Sequence, residues 1–570
     1  MARIFNPMFQ SISAALILFL MFLILSVPLR SESRYEKMDE FLNLANKLWR
    51  FNGTVLVAHR GAILLCRGYG FSNKDFNQPN TPQTRFFIGS ITKQFTAAAI
   101  LALHDDSLLN LDSPIIKYLP DYPPDPGRRI TIRHLLTHSS GIPNYTDDPE
   151  IILMRSEPLT PDDIIRFFRN RPLEFEPGTS FRYSNSGYIL LGKIIEMVSG
   201  QSYEAFLHRR ILKPAGMLST GYGRRESGIP NRADGYTIDQ NGNIIKALPI
   251  DFSIMFSAGA LYSTVLDIFR WDSLLYTDAV LNRATITEMF TPSQYGYGYG
   301  WFIDSLFERR LAFHGGFLDG YNAVLYRWLD DSVSVIILSN EDEAPVAKIA
   351  RGLSAIVFDE PYEKPLRRKA TKIDSRKLRE YAGVYRYEDD SYQFISLIKD
   401  TLYTNLRGMP RQILLPLSRD NFFYASDNNK LLSFGRNDKG VIDHLHITDD
   451  IYYLTALRIF GPDSAALMID RTPFPLDSAS LAKFAGFYRF YHDAGGSEDS
   501  LFLRVENKDN CLDISIGNGE VVAVYPNSSA RFFHSDADFQ ITFLLNEQSV
   551  PIGFHLEIAG KIMRGTRINK

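Results

Sequence analysis

At 570 residues the chain is too long for a single hydrophobic core, so about two to four domains are expected. A composition of 45% apolar and 22% charged residues is that of an ordinary globular protein and excludes a disordered or fibrous one. A net charge of −3 with no long basic run excludes an electrostatic footprint for nucleic acid, and two distant cysteines, Cys66 and Cys511, form no disulfide framework and read as buried free thiols.

Residues 1–33 differ from the rest. Arg3 precedes an almost unbroken apolar run over 12–27. Such a run exports a chain as a signal peptide or, over residues 12–29, anchors it in a membrane. Ser26-Val27-Pro28-Leu29-Arg30-Ser31 is a poor cleavage sequence, and no nearby cysteine offers a lipoprotein anchor. Either way the remainder is expected outside the cytoplasm: in the periplasm, anchored in the cell envelope, or secreted.

Residues 53–58 and 62–66 alternate as a hairpin around His59-Arg60-Gly61. A helix is expected after Ser90, where Phe95, Ala98, Ala99 and Ala102 keep helical spacing. Proline-rich loops and helices alternate from Pro114 to about Ile250. Gly296, Gly298 and Gly300 alternate with tyrosines up to Trp301 and read as a period-two strand. Strands are expected over 321–326 and 332–338, then a helix from about Glu343 to Val357. Strands, a helical insert and strands again predict an α+β domain over 34–358, its antiparallel sheet assembled from both ends and flanked by helices. Residues 359–373 read as a linker. Beyond it the sequence repeats: 378–387 matches 481–490, and Pro416 with Phe422-Phe423 matches Pro526 with Phe532-Phe533. Two small all-β, barrel-like domains are expected over 374–460 and 477–570.

The chemistry is carried by three short motifs. Ser-x-x-Lys occurs three times, at Ser90, Ser396 and Ser480; Tyr-x-Asn three times, at Tyr183, Tyr403 and Tyr525; His-x-Gly twice, at His59 and His314. One choice alone runs in the order serine, tyrosine, histidine: Ser90, Tyr183, His314. A serine hydroxyl needs a base. Lys93 shares a helix face with Ser90, and apolar neighbours such as Phe86, Phe87, Ile88 and Phe95 would lower its pKa enough to serve. Tyr183 is the second member of the proton relay, and Asn185 is placed to hydrogen-bond Lys93 or a substrate carbonyl. His314-Gly315-Gly316 reads as an edge strand that a substrate can approach closely, with the Ser90 and Phe317 N–H groups as the oxyanion pair. His134 and His138 have the i,i+4 spacing of a helical metal pair, but no glutamate follows His134 and no third ligand is evident. Nothing calls for a metal or another cofactor, there is no G-x-S-x-G elbow, and oligomeric state is not legible.

Taken together, these residues resemble the serine β-lactamase and penicillin-binding-protein-like family, in its class C/esterase branch. Residues 130–142, Glu176-Pro177-Gly178, residues 257–264, Tyr297-Gly298-Tyr299-Gly300-Trp301 and Leu338-Ser339-Asn340 are similar to stretches typical of it. The resemblance implies that Ser90 is the acylated nucleophile, that Lys93 and Tyr183 transfer its proton, that His314 is the third-box residue, and that His134 and His138 are structural. Class C β-lactamases carry K-T-G in the third box. Histidine there resembles the esterase and D-aminopeptidase members and would make the site sensitive to pH in the histidine range. The C-terminal repeats resemble lipocalin-like barrels appended to some peptidases. The expected function is hydrolysis of a small-molecule or peptide substrate, an ester or amide such as a D-amino-acid peptide or peptidoglycan fragment, through an acyl-enzyme. The alternatives are a penicillin-binding or sensing protein without efficient turnover, and barrels that bind lipid or glycan for the hydrolase.

Overall fold

The computed structural model describes residues 33–148, 151, 154–223, 228–239, 243–388, 391–406, 411–425, 430–448, 453–460, 476–491, 500–508, 511–516, 521–526, 528–534, 539–546, 548–558 and 561–568. The apolar run over 12–27, expected as signal or anchor, lies outside the described residues. Among the described residues no helix is long and apolar enough to cross a membrane.

Helix α1 (Arg34–Leu48) opens on a capping box in which the Ser33 hydroxyl accepts from the Glu36 N–H and Glu36 answers back to the Ser33 N–H. Strands β1 (Gly53–His59) and β2 (Ala62–Tyr69) form the expected hairpin. It turns at Arg60 and Gly61, both at positive φ, which suits the twist of the flanking strands. Helices α2 (Thr92–Asp105), α3 (Ile132–Leu136) and α4 (Asn185–Ser199) belong to the helical insert. The chain then returns to the sheet through β3 (Phe302–Leu306), β4 (Arg309–Leu318), β5 (Tyr321–Trp328) and β6 (Val333–Ser339), and α5 (Val346–Phe358) closes the domain.

The sheet order is β3-β4-β5-β6-β1-β2, antiparallel throughout, so the N-terminal hairpin docks on the last strand. β1 is central and buried on both faces. Its Val55 and Val57 point to the α1/α5 side with Phe41, Ile349 and Leu353, while Leu56 and Ala58 point to the insert. This two-sided burial corrects the alternation expected over 53–58: β1 is a continuous apolar run. α2 is buried nearly all round, as a helix running through a core must be.

A further expectation is corrected. Residues 296–300 are not a strand. They form a turn-rich loop in which Gly296 and Gly300 take φ of +74° and +79°, and Tyr297 and Tyr299 are both buried. The glycines serve close approach: a Cβ on Gly300 would lie 2.9 Å from the Lys93 carbonyl oxygen. The edge expected of His314-Gly315-Gly316 is found in β4. β3 covers it as far as Phe313, opposite Phe302, and only residues 314–318 lack a neighbour on that side.

The C-terminal repeats form two closed eight-stranded barrels, from Gly383–Arg386 to Tyr453–Phe460 and from Gly486–Tyr491 to Lys561–Ile568. Each is latched alike. Tyr385 and Tyr488 donate their hydroxyls to the carbonyls of Tyr381 and Phe484, both at 2.8 Å. Arg458 and Arg567, in the last strands, lie over those tyrosine rings and donate to the carbonyls of Ala382 and Ala485. Their interiors are packed with the barrels' own side chains, Phe422 and Phe434 in one, Phe532 and Phe554 in the other. The decoy motifs fall here: Ser396 and Tyr403 on barrel strands, Ser480 on a five-residue helix.

Candidate active site

Ser90 sits in a 3-10 turn (Gly89–Ile91) that runs directly into α2, which places Lys93 one turn later on the same face. Lys93 is wholly buried, beneath a half-buried Ser90. Its Nζ lies 3.0 Å from Ser90 Oγ, 2.7 Å from Asn185 Oδ1 and 2.8 Å from the Ala258 carbonyl oxygen. Burial without a carboxylate partner pushes the Lys93 pKa well down. Once it has lost its proton, the amine has two hydrogens and one lone pair. Asn185 Oδ1 and Ala258 O can only accept, so they take both hydrogens, and the lone pair is left facing the Ser90 hydroxyl. That is the arrangement of a general base.

Asn185 is the first residue of α4. Its N–H donates to Asn144 Oδ1 at 2.9 Å and its Nδ2 to Thr146 Oγ1 at 3.2 Å, which turns Oδ1 towards Lys93. Tyr183 stands just before the helix. Lys93 Nζ is 4.9 Å from its ring centroid, and the ring stacks parallel to Phe302 at 6.2 Å. The approach of β4 to the Ser90 turn depends on two glycines. A Cβ on Gly316 would fall 1.9 Å from the Ile88 carbonyl oxygen, and one on Gly89 would lie 2.8 Å from the Phe317 nitrogen. These close approaches set the backbone at Ser90, at the start of a helix, against that at Phe317, on the free part of β4. Gly315 meets nothing closer than 3.8 Å, so the close contact belongs to Gly316.

His314 differs from expectation. It is 2% exposed, and both ring nitrogens are engaged: Nδ1 lies 2.6 Å from the Gly315 carbonyl oxygen, and Nε2 lies 3.0 Å from the Tyr297 hydroxyl. A carbonyl cannot donate, so Nδ1 carries the proton and Nε2 accepts from Tyr297. Burial lowers its pKa to about 3. The pH sensitivity expected in the histidine range is thereby overturned. Above about pH 3 the folded protein keeps His314 neutral, whereas an unfolded chain protonates it near 6.5. The His314 contribution to stability is complete above pH 6.5 and is lost as pH falls towards 3. In an NMR titration from pH 8 to 4.5 the His314 ring resonances are expected not to move; a midpoint between 6 and 7 would contradict this reading.

His134 and His138 do not form a metal pair. α3 ends at Leu136 and His138 takes φ of +55°, so the helical spacing is broken between them. Each ring serves the backbone: His134 Nδ1 accepts from the Thr131 N–H, and His138 Nδ1 from the Ser184 N–H. Two contributors escaped sequence reasoning. The Ala258 carbonyl is a main-chain group without a residue-type signature. Tyr297 was visible as an aromatic, and the flanking glycines signalled a turn as much as a strand.

The Beta-lactamase family model matches residues 41–357. The chain belongs to the β-lactamase family. Penicillin-binding protein 4* of Bacillus subtilis (strain 168) is 32% identical over 409 residues, covering 66% of this chain and 88% of that protein. The octameric penicillin-binding protein homologue from Pyrococcus abyssi is similar in structure, with a TM-score of 0.53 at 27% identity over 74% of this chain and 99% of that one. D-amino acid amidase from Ochrobactrum anthropi SV3 shares the fold, with a TM-score of 0.52 at 24% identity over 57% of this chain and 99% of that one. The β-lactamase-like domain is thus that of a penicillin-binding-protein-like serine hydrolase.

Proposed function

We propose that this protein hydrolyses an ester or amide, of the D-amino-acid peptide kind, through a covalent intermediate on Ser90. Ser90 Oγ attacks the carbonyl carbon as its proton passes to Lys93 Nζ. The carbonyl oxygen, now negative, is held by the Ser90 and Phe317 N–H groups. Tyr183 relays the proton to the leaving amine or alkoxide, and water then releases the acyl group by the reverse route. The observation that carries this reading is the set of three contacts on Lys93 Nζ, which leaves its lone pair only the Ser90 hydroxyl. His314 supports a peptidase or esterase over a β-lactamase. Where K-T-G enzymes place a lysine, this chain has a neutral ring with both nitrogens engaged, so no cation is offered there to a substrate carboxylate. The apolar run over 12–27 supports placing the enzyme outside the cytoplasm.

The test is a panel of a p-nitrophenyl ester, a D-alanyl peptide amide and a β-lactam, assayed with residues 34–570. Turnover of the ester or the D-peptide is expected at a kcat/KM at least about 100-fold above that for the β-lactam, the worth of roughly 3 kcal/mol. A β-lactam as best substrate would overturn the peptidase or esterase reading.

A further inference from the structure

We propose that His138 is a positioning residue for this reaction, holding Tyr183 in the relay through its backbone and its ring together. The inference rests on the acyl-enzyme reading above. His138 brackets Tyr183 on both sides: its carbonyl accepts from the Arg182 N–H at 3.0 Å, and its Nδ1 accepts from the Ser184 N–H at 3.1 Å. Next to it, the Ser139 carbonyl accepts from the Gly178 N–H at 2.8 Å, so the 178–184 loop is pinned at three points to one corner. The left-handed backbone of His138 turns that corner.

The ring does the rest. It lies 4.3 Å from the Tyr183 ring at a tilt of 34°, and 4.6 Å from the Tyr297 ring in a T-shaped contact. Tyr297 in turn bonds His314. Because a backbone N–H can only donate, Nδ1 must be bare and Nε2 must carry the proton. Nε2 is buried and has no hydrogen-bond partner among the described residues. An orphaned buried donor costs about 1–3 kcal/mol. A phenyl ring would avoid that cost but could not take the Ser184 N–H, and an amide could take it but could not stack. Imidazole is the side chain that does both, at the expense of one unpaired N–H. Burial keeps the ring neutral, so the acceptor at Nδ1 persists.

The test compares His138→Asn and His138→Phe with the wild type. Asparagine tolerates the left-handed backbone and offers an acceptor near the place of Nδ1, but loses the stack. Phenylalanine keeps the ring and loses the acceptor. With kcat normalised to sites titrated by a fluorophosphonate, each folded variant is expected to lose about 10–100-fold, the span of a misplaced relay group. In a Tyr183→Phe background His138→Asn is expected to cost less than about twofold, because the residue it positions is already disabled. A merely structural role would lower the melting temperature and leave kcat per titrated site at the wild-type value; that result overturns the proposal. Should neither variant fold, the wild-type ring decides by 15N NMR: protonation on Nε2 from pH 5 to 9 is expected, and an Nδ1–H tautomer overturns it. Failure of the wild type to turn over any ester or amide would instead sink the acyl-enzyme reading.

Discussion

Replacing Lys93 with methionine is expected to lower kcat/KM by about 10²–10⁴-fold, the usual worth of a general base, and to change how stability depends on pH. Methionine has nearly the length of the lysine stem, so the packing beside Tyr183 and Tyr188 is kept. The donors to Asn185 Oδ1 and Ala258 O are lost, each at a cost of about 1–3 kcal/mol. Against this stands the proton that lysine must shed on folding. Burial lowers the Lys93 pKa well below 10.5 in the folded state. The unfolded chain therefore binds one more proton over the interval between the two values, and wild-type stability rises with pH there. Going the other way, each pH unit below 10.5 shifts the balance towards the variant by about 1.4 kcal/mol until the folded pKa is reached. The measurement is the difference in unfolding free energy between variant and wild type from pH 9 to 6. Other titrating groups cancel in that difference. A difference that stays flat would mean that Lys93 is charged in the fold, and the lone pair assigned to Ser90 would not exist.

What the sequence disclosed divides by physical cause. The Ser90–Lys93 spacing was legible because a helix puts i and i+3 on one face, and the local apolar run announced a helix. Asn185 was legible because its neighbour Tyr183 already pointed to the site. The paired strands at the two ends of the domain were legible as short apolar runs bounded by turns, because β1 and β6 are buried on both faces, and the barrel unit was legible because its sequence repeats. The misreadings share another cause: they concern what a residue meets rather than what it is. Gly296, Gly298 and Gly300 alternate as a strand would, yet the loop must turn to press Gly300 against α2. The titration expected of His314 assumed solvent, and the structure surrounds it with Phe302, Tyr183 and Tyr297. The Arg458 and Arg567 latches were invisible for the same reason: each needs the strand opposite to show its purpose.

Ser90→Ala is expected to remove turnover by on the order of 10⁶-fold, the loss typical of a serine hydrolase stripped of its nucleophile, and to abolish labelling by a fluorophosphonate, while leaving the fold intact. The hydroxyl is half-buried and makes one contact of consequence, with Lys93 Nζ, so its removal leaves Lys93 its two carbonyl acceptors and creates little void. Stability should fall by no more than about 1–3 kcal/mol, since no cavity opens and the one buried group left unpaired is the Lys93 lone pair. Loss of chemistry without loss of fold separates a nucleophile from a structural serine. The wild type separates the two functional readings of the same site. Both a hydrolase and a sensor would give a burst of acylation equal to the number of sites, since both need Ser90, Lys93 and the oxyanion donors. A hydrolase continues past the burst, because water can be activated by the same base that first deprotonated Ser90; a sensor stops at one equivalent. Multiple turnovers in the wild type, together with neither burst nor labelling in Ser90→Ala, would fix the reaction on this residue. A stoichiometric adduct that persists for hours would assign the same residues to sensing, and labelling that survives the alanine would move the nucleophile elsewhere.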